Sequence, residues 1–166
     1  MKKTGFYFLL LILLIATIYF IAPDFPLSDS SQREPLTITG RVTDLVAAEE
    51  CFKLLKQSIV ATNKKDLDSY IDTLVKDAQE ATAKQLQIVF DSYDLKHELL
   101  SFQVLNQKKD SLFVVVYQKT INQGRQHYQN HIAQIHYTFL KEKNQWKIQQ
   151  SFITNTELLD ESTRAF

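Results

Sequence analysis

Between residues 44 and 93 apolar side chains recur every three or four positions; from residue 95 onward the period shortens to two. The first spacing is that of one face of an α-helix and the second that of one face of a β-strand. Leu45, Ala48, Phe52, Leu55 and Ile59 form a single stripe and predict a helix over 44–63, with Thr43 or Asp44 placed to cap its start. Leu67, Tyr70, Ile71 and Leu74 predict a short second helix over 66–75, and Leu86, Val89, Phe90 and Tyr93 a third from Thr82 to Tyr93.

Four stretches follow, 95–107, 110–122, 125–143 and 145–155, all rich in β-branched and aromatic residues. The second is apolar on both faces at Leu112–Val116, which suits a central strand. Gly124 in "INQGRQ" is expected to supply the positive φ of one hairpin turn, and "KEKNQW" makes the next. Three helices followed by a four-stranded antiparallel meander predict an α+β domain with the helices on one sheet face. Trp146, Ile148 and Phe152 share strand parity and are expected to plug the core against the first helix.

Ahead of this domain, residues 5–22, "GFYFLLLILLIATIYFIA", carry no charge. As a helix they would reach about 27 Å, enough for a thin hydrocarbon core. Lys2 and Lys3 precede the run and Asp24 is the first charge after it, so positive-inside logic keeps the N-terminus in the cytoplasm and sends 23–166 outside, as in a bacterial envelope protein. Tyr19 suits the interfacial belt. A cleaved signal peptide fits less well. Cutting after Ala22 or Ala16 would place Phe20 or Leu14 where a small residue belongs, and no lipid-bearing cysteine follows the run directly. All three prolines fall between residues 23 and 35, in "PDFPLSDSSQREPL". The expected organisation is therefore a cytoplasmic stub and transmembrane anchor over 1–22, an extended linker over 23–40, one domain over 41–156 and a tail over 157–166.

Composition removes several functions. Formal net charge is zero, so no field points to nucleic acid. Cys51 is the only cysteine, which excludes an internal disulfide and a multi-cysteine metal cage; its apolar helical setting reads as a small buried hydrophobe. No Gly-rich phosphate loop, G-x-S-x-G motif or cofactor signature is present.

The order of elements resembles the NTF2-like (SnoaL-like) superfamily. Three stretches carry the resemblance: "ATNKKDLDSYIDTL" (61–74), similar to the step after that superfamily's first helix; "VFDSYDLKHELLSFQVL" (89–105), similar to the descent into its first long strand; and "IHYTFLKEKNQWKIQQSFI" (135–153), similar to its last hairpin. The resemblance covers about residues 44–155 and implies a cone, with a curved sheet wrapped around the helices and often a pocket inside. Members include isomerases and dehydratases, ligand-binding modules, and dimeric or scaffold domains, some of them membrane-tethered. Fold alone does not choose among these.

Three of the four histidines lie in "HYQNHIAQIHYTF" (127–139). On a strand, His127 and His131 share a face yet sit about 13 Å apart, and His131 and His136 point opposite ways. Zinc requires ligands at about 2.1 Å from one ion, so this strand alone makes no metal site. The resemblance implies carboxylates or histidines inside the cone of catalytic members. Between Asp110 and Glu157, however, the only carboxylate is Glu142, in an expected turn. The remaining pocket candidates are Tyr93, His97 and His131. The polar side of the sheet is rich in amides and tyrosines, and Tyr117, Tyr128, Asn130, Gln134 and Gln149 form a candidate protein interface. The expectation is a membrane-anchored extracytoplasmic binding or assembly module without catalysis or cofactor, touching the bilayer through 5–22 and pairing with itself or an envelope protein. The alternative is a small-ligand binder or an isomerase or dehydratase that uses the cone pocket.

Overall fold

The computed structural model describes residues 36–159. The first stripe forms α1, Leu45–Asn63, with the Asp44 carboxylate accepting from Ala47 N at its start. Ala48, Cys51 and Leu55 are fully buried along its inner face. Lys65, at φ 55, reverses the chain into α2, Leu67–Asp72, capped by Asp66. α3 spans Lys76–Ser92 and so begins well before Thr82. Its buried face runs through Thr82, Leu86 and Phe90. Thr82 donates to Ala78 O at 2.7 Å, a polar residue satisfied within its own helix, and this hid the start of the stripe.

Among the described residues the sheet has six strands, where four were expected. They are β1 (Ile38–Gly40), β2 (Leu95–Leu99), β3 (Phe102–Lys108), β4 (Ser111–Asn122), β5 (His131–Glu142) and β6 (Gln145–Leu158). The order is β1-β3-β4-β5-β6, with β2 also paired to β4. One of the two extra strands comes from a break. The predicted 95–107 strand breaks at Leu100 and Ser101, and both halves pair with the central β4. The backbone stays satisfied across the break, because Leu100 N donates to Tyr117 O and Tyr117 N donates to Ser101 Oγ. β1 is a short parallel strand on β3, inside the stretch read as linker. Gly40 has φ +90, and a Cβ there would meet Val104 O at 2.2 Å.

Gly124 does not adopt the positive φ expected of it; Lys143 and Asn144 in the β5–β6 turn do. Its role is proximity, since an added Cβ would stand 3.2 Å from Asp94 Cβ. Residues 125–130 lie outside any strand, so β5 begins only at His131.

Bulges set which side chains face the helices. Along β5–β6 the register slips at Gln149 and again at Thr154. Trp146 and Ile148 are buried, as expected, but the slip turns Phe152 to the opposite face, where it is 38% exposed. A third bulge at Leu105 turns Gln107 inward. There Gln107 Oε1 accepts from Thr43 N and Asp44 N while its Nε2 donates to Asp44 O, which ties β3 to the start of α1.

The core lies between α1 and the broad end of the sheet and includes Leu55, Phe102, Leu112, Val114, Val116, Ile135 and Phe139. Among the described residues no helix is long and apolar enough to cross a membrane. The expected anchor over 5–22 and most of the linker lie outside the described residues, as does the end of the tail.

Candidate functional site

At the other end of the cone the helices and sheet do not close. A cavity of about 100 Å³ lies between the last turns of α1 (Ser58, Ile59, Thr62), α3 (Leu86, Val89), and the inner faces of β2, β4 and β5. The small Ala133, between longer neighbours on β5, leaves much of this room.

Strand register builds the polar wall. His97 pairs with Thr120, and Thr120 pairs with His131, so the three stand in one row across β2, β4 and β5 on the inner face. Adjacent strands are about 4.8 Å apart, which places the two histidines on either side of the threonine. One position further along, Gln118 reaches the same group: its Nε2 donates to His97 Nδ1 at 3.2 Å, and Thr120 Oγ1 lies 3.0 Å from that nitrogen. Gln118, Thr120 and His131 are all buried. Asn63, at the end of α1, fixes the backbone of His97 from the other side.

These contacts set the tautomers. Gln118 Nε2 can only donate, so His97 Nδ1 accepts and Nε2 carries the proton. His131 Nδ1 lies 3.0 Å from Gln129 O, which can only accept, so Nδ1 carries the proton and Nε2 has the lone pair. Burial first, and the neighbouring His131 second, lower the His97 pKa from 6.5 to about 4, so this ring is neutral near pH 7. Burial pushes the Tyr70 hydroxyl up to about 12 and that of Tyr137 higher still, so both remain protonated. No carboxylate, lysine or arginine is among the lining residues.

The structure thus brings Tyr93, His97 and His131 to one cavity. Tyr93 packs edge-on to Tyr128 at 5.3 Å between centroids, and Tyr128 lies 5.8 Å from His131. The residues named for a sheet interface separate. Tyr117 and Gln134 are paired across β4 and β5 on the outer face. Tyr128 lines the cavity instead, and Asn130 is buried, accepting from Asn122 N at 2.8 Å. Gln149 occupies a bulge. His127 is exposed outside the strands, and His136 lies on the outer face, stacked on Phe152 at 5.1 Å. Among the described residues no cluster of three His, Cys, Asp or Glu side chains could hold a metal ion. Cys51 is buried, and burial raises its thiol pKa, which leaves it protonated.

Sequence reading missed Tyr70, Gln118, Thr120 and Tyr137 on the cavity wall. The signal was there in β4: Gln118 and Thr120 continue the inward parity of Leu112, Val114 and Val116.

The family model for the C-terminal domain of anti-sigma-I factor RsgI9 matches residues 53–159. The chain belongs to that family. The RsgI9 C-terminal domain match takes in α2, α3, all strands from β2 to β6 and the whole cavity wall. Comparison with curated proteins gives no match. Among solved structures, an NTF2-like protein of unknown function from Pseudomonas putida is similar at TM-score 0.59 and 13% identity, covering 74% of this chain and 94% of that one. A protein of unknown function with a cystatin-like fold from Nostoc punctiforme gives 0.58 and 14%, covering 71% and 95%. A candidate scytalone dehydratase from Novosphingobium aromaticivorans gives 0.58 and 14%, covering 70% and 89%. At these identities the likeness establishes the fold: this member of the RsgI9 C-terminal domain family is an NTF2-like α+β domain.

Proposed function

We propose that the chain is a membrane-anchored, extracytoplasmic binding module that acts through what occupies its cavity and not by catalysis. One observation carries this reading: the cavity joins a mostly apolar wall to a row of hydrogen-bonding groups, His97, Thr120 and His131, with no carboxylate lining it. Acid–base chemistry on a bound substrate favours a group whose pKa lies near the working pH, and His97 is held well below it. Small-molecule sites have this same build, a concave apolar surface with a few placed polar groups. Membership of an anti-sigma factor domain family supports a regulatory role. The uncharged run over 5–22, with lysines before it, supports the anchor and the outside location.

A fragment screen by ligand-observed NMR on the full-length chain in lipid nanodiscs tests the reading. Fragments that bind should lose contact when the cavity is filled by Ala133→Phe or narrowed at its rim by Val89→Trp. Binding that ignores both substitutions, or none at all, would sink it.

The outer sheet face supports a second reading as a self-association surface. Phe152 is exposed there, stacked on His136, which also lies 5.4 Å from Phe113. Light scattering on the wild type and Phe152→Glu decides this: a dimer that dissociates on substitution supports it, and a wild-type monomer ends it.

A further inference from the structure

We infer that the cavity is built for a small uncharged ring that carries a hydroxyl group, with the ring against Ile59, Leu86, Val89 and Ile135 and the hydroxyl between His97 and His131. This rests on reading the cavity as a ligand site.

Size comes first. A dry cavity of roughly 150 Å³ holds benzene, so about 100 Å³ opening toward solvent suits one small ring. Polarity comes next. His97 Nδ1 is occupied by Gln118 and Thr120, and His131 Nδ1 by Gln129 O. Each ring therefore has only Nε2 left for a ligand, and the two are opposite in kind: His97 Nε2–H donates and His131 Nε2 accepts. A hydroxyl both accepts and donates, so it answers both. A ketone or ether answers only His97, and a hydrocarbon neither.

Charge sets the exclusions. A carboxylate would leave water for a wall with no cation, and an ammonium for a wall with no anion. His97 does not compensate a carboxylate cheaply, because protonating it works against its burial and against His131. Either nitrogen left unpaired beside a ligand loses the hydration it had in the open cavity, so the match is read as selectivity more than as raw affinity.

Titration calorimetry of the full-length chain in nanodiscs with phenol, benzene and benzoate tests this, with empty nanodiscs as the blank. Phenol should bind at least about tenfold more tightly than benzene, and benzoate more weakly than phenol. His97→Leu and His131→Phe should each weaken phenol by about tenfold while leaving benzene within threefold. The wild-type ranking stands as a test even if a variant does not fold. Benzene equal to phenol, benzoate tighter than phenol, or phenol binding unmoved by both substitutions would overturn the inference. If none of the three probes binds while the screen finds cavity-bound fragments, the hydroxyl-ring class falls and the ligand-site reading stands. If the screen is also empty, both fall.

Discussion

Asn63 and His97 hold each other by two hydrogen bonds: Asn63 Nδ2 donates to His97 O at 2.8 Å, and His97 N donates to Asn63 Oδ1 at 2.7 Å. A side-chain amide at the end of α1 thus pairs with the edge of β2 as a neighbouring strand would. It fixes the backbone from which the His97 ring enters the cavity. Asn63→Ala removes both bonds, and a loss of about 1–2 kcal/mol in urea unfolding is expected. Cavity ligands should weaken as well, whereas the exposed Leu45→Ala, also on α1, should shift stability by no more than about 0.5 kcal/mol and leave binding unchanged.

Acid should loosen the fold through His97. The unfolded chain takes up this proton near pH 6.5 and the folded chain only near 4, so between those values the unfolded state binds more protons. Stability therefore rises with pH across that window: it is complete above about 6.5 and falls as the pH drops toward 4. The loss reaches at most about 3 kcal/mol. Chemical denaturation at about pH 7 and about pH 4.5 measures it. His97→Gln should flatten the difference, even if the variant is weaker at both.

His136 offers a contrast on the opposite face. Partial burial lowers its pKa too, and its Nδ1 has no partner among the described residues. Replacing it by phenylalanine keeps the stacking with Phe113 and Phe152 and removes an unpaired buried nitrogen. Stability unchanged or higher by up to about 1 kcal/mol is expected near neutral pH, read from the urea midpoint.

Core truncation should be far more costly. Phe139 is fully buried and lies 6.5 Å from the Phe102 ring. Phe139→Ala is expected to lower stability by about 3–5 kcal/mol, measured by the same denaturation.

At the edge, Gly40→Ala cannot keep φ +90 with a Cβ 2.2 Å from Val104 O. β1 should detach while the rest of the sheet stays closed. Hydrogen exchange would show this as lost protection at Arg41 N, which donates to Val104 O, with Val116 and Ile135 still protected.

The architecture was legible where one physical signal dominated. The α1 stripe and the doubly apolar β4 follow directly from the spacing of Leu45 to Ile59 and from Leu112–Val116. What stayed hidden was local backbone adjustment. No glycine or proline marks the break at Leu100, because both halves keep the same partner strand. Nor does any residue type announce the bulges that turn Phe152 outward and Gln107 inward. Of the site, Tyr93, His97 and His131 could be named as candidates, but Tyr128 was placed on the wrong side because the strand was assumed to begin before His131. The cavity itself depends on what is missing at Ala133, and a small residue in a strand does not reveal the volume above it.

β6 carries the longest consequence. By register its helix-side residues are Trp146 and Ile148, then Ser151 and Ile153, with Thr156 and Leu158 continuing that side where the strand is exposed, and Gln149 and Thr154 are the two steps between. The strand is punctuated like a message with a reading frame. Deleting Gln149 would set Ile148 and Gln150 side by side opposite Phe139 and Thr138, so that bulge would vanish and every side chain would keep its face; deleting Thr154 would do the same for the second bulge. Deleting Phe152 between them would instead force Ser151 or Ile153 outward. Length in this strand is information, and a loop of the same composition would carry none.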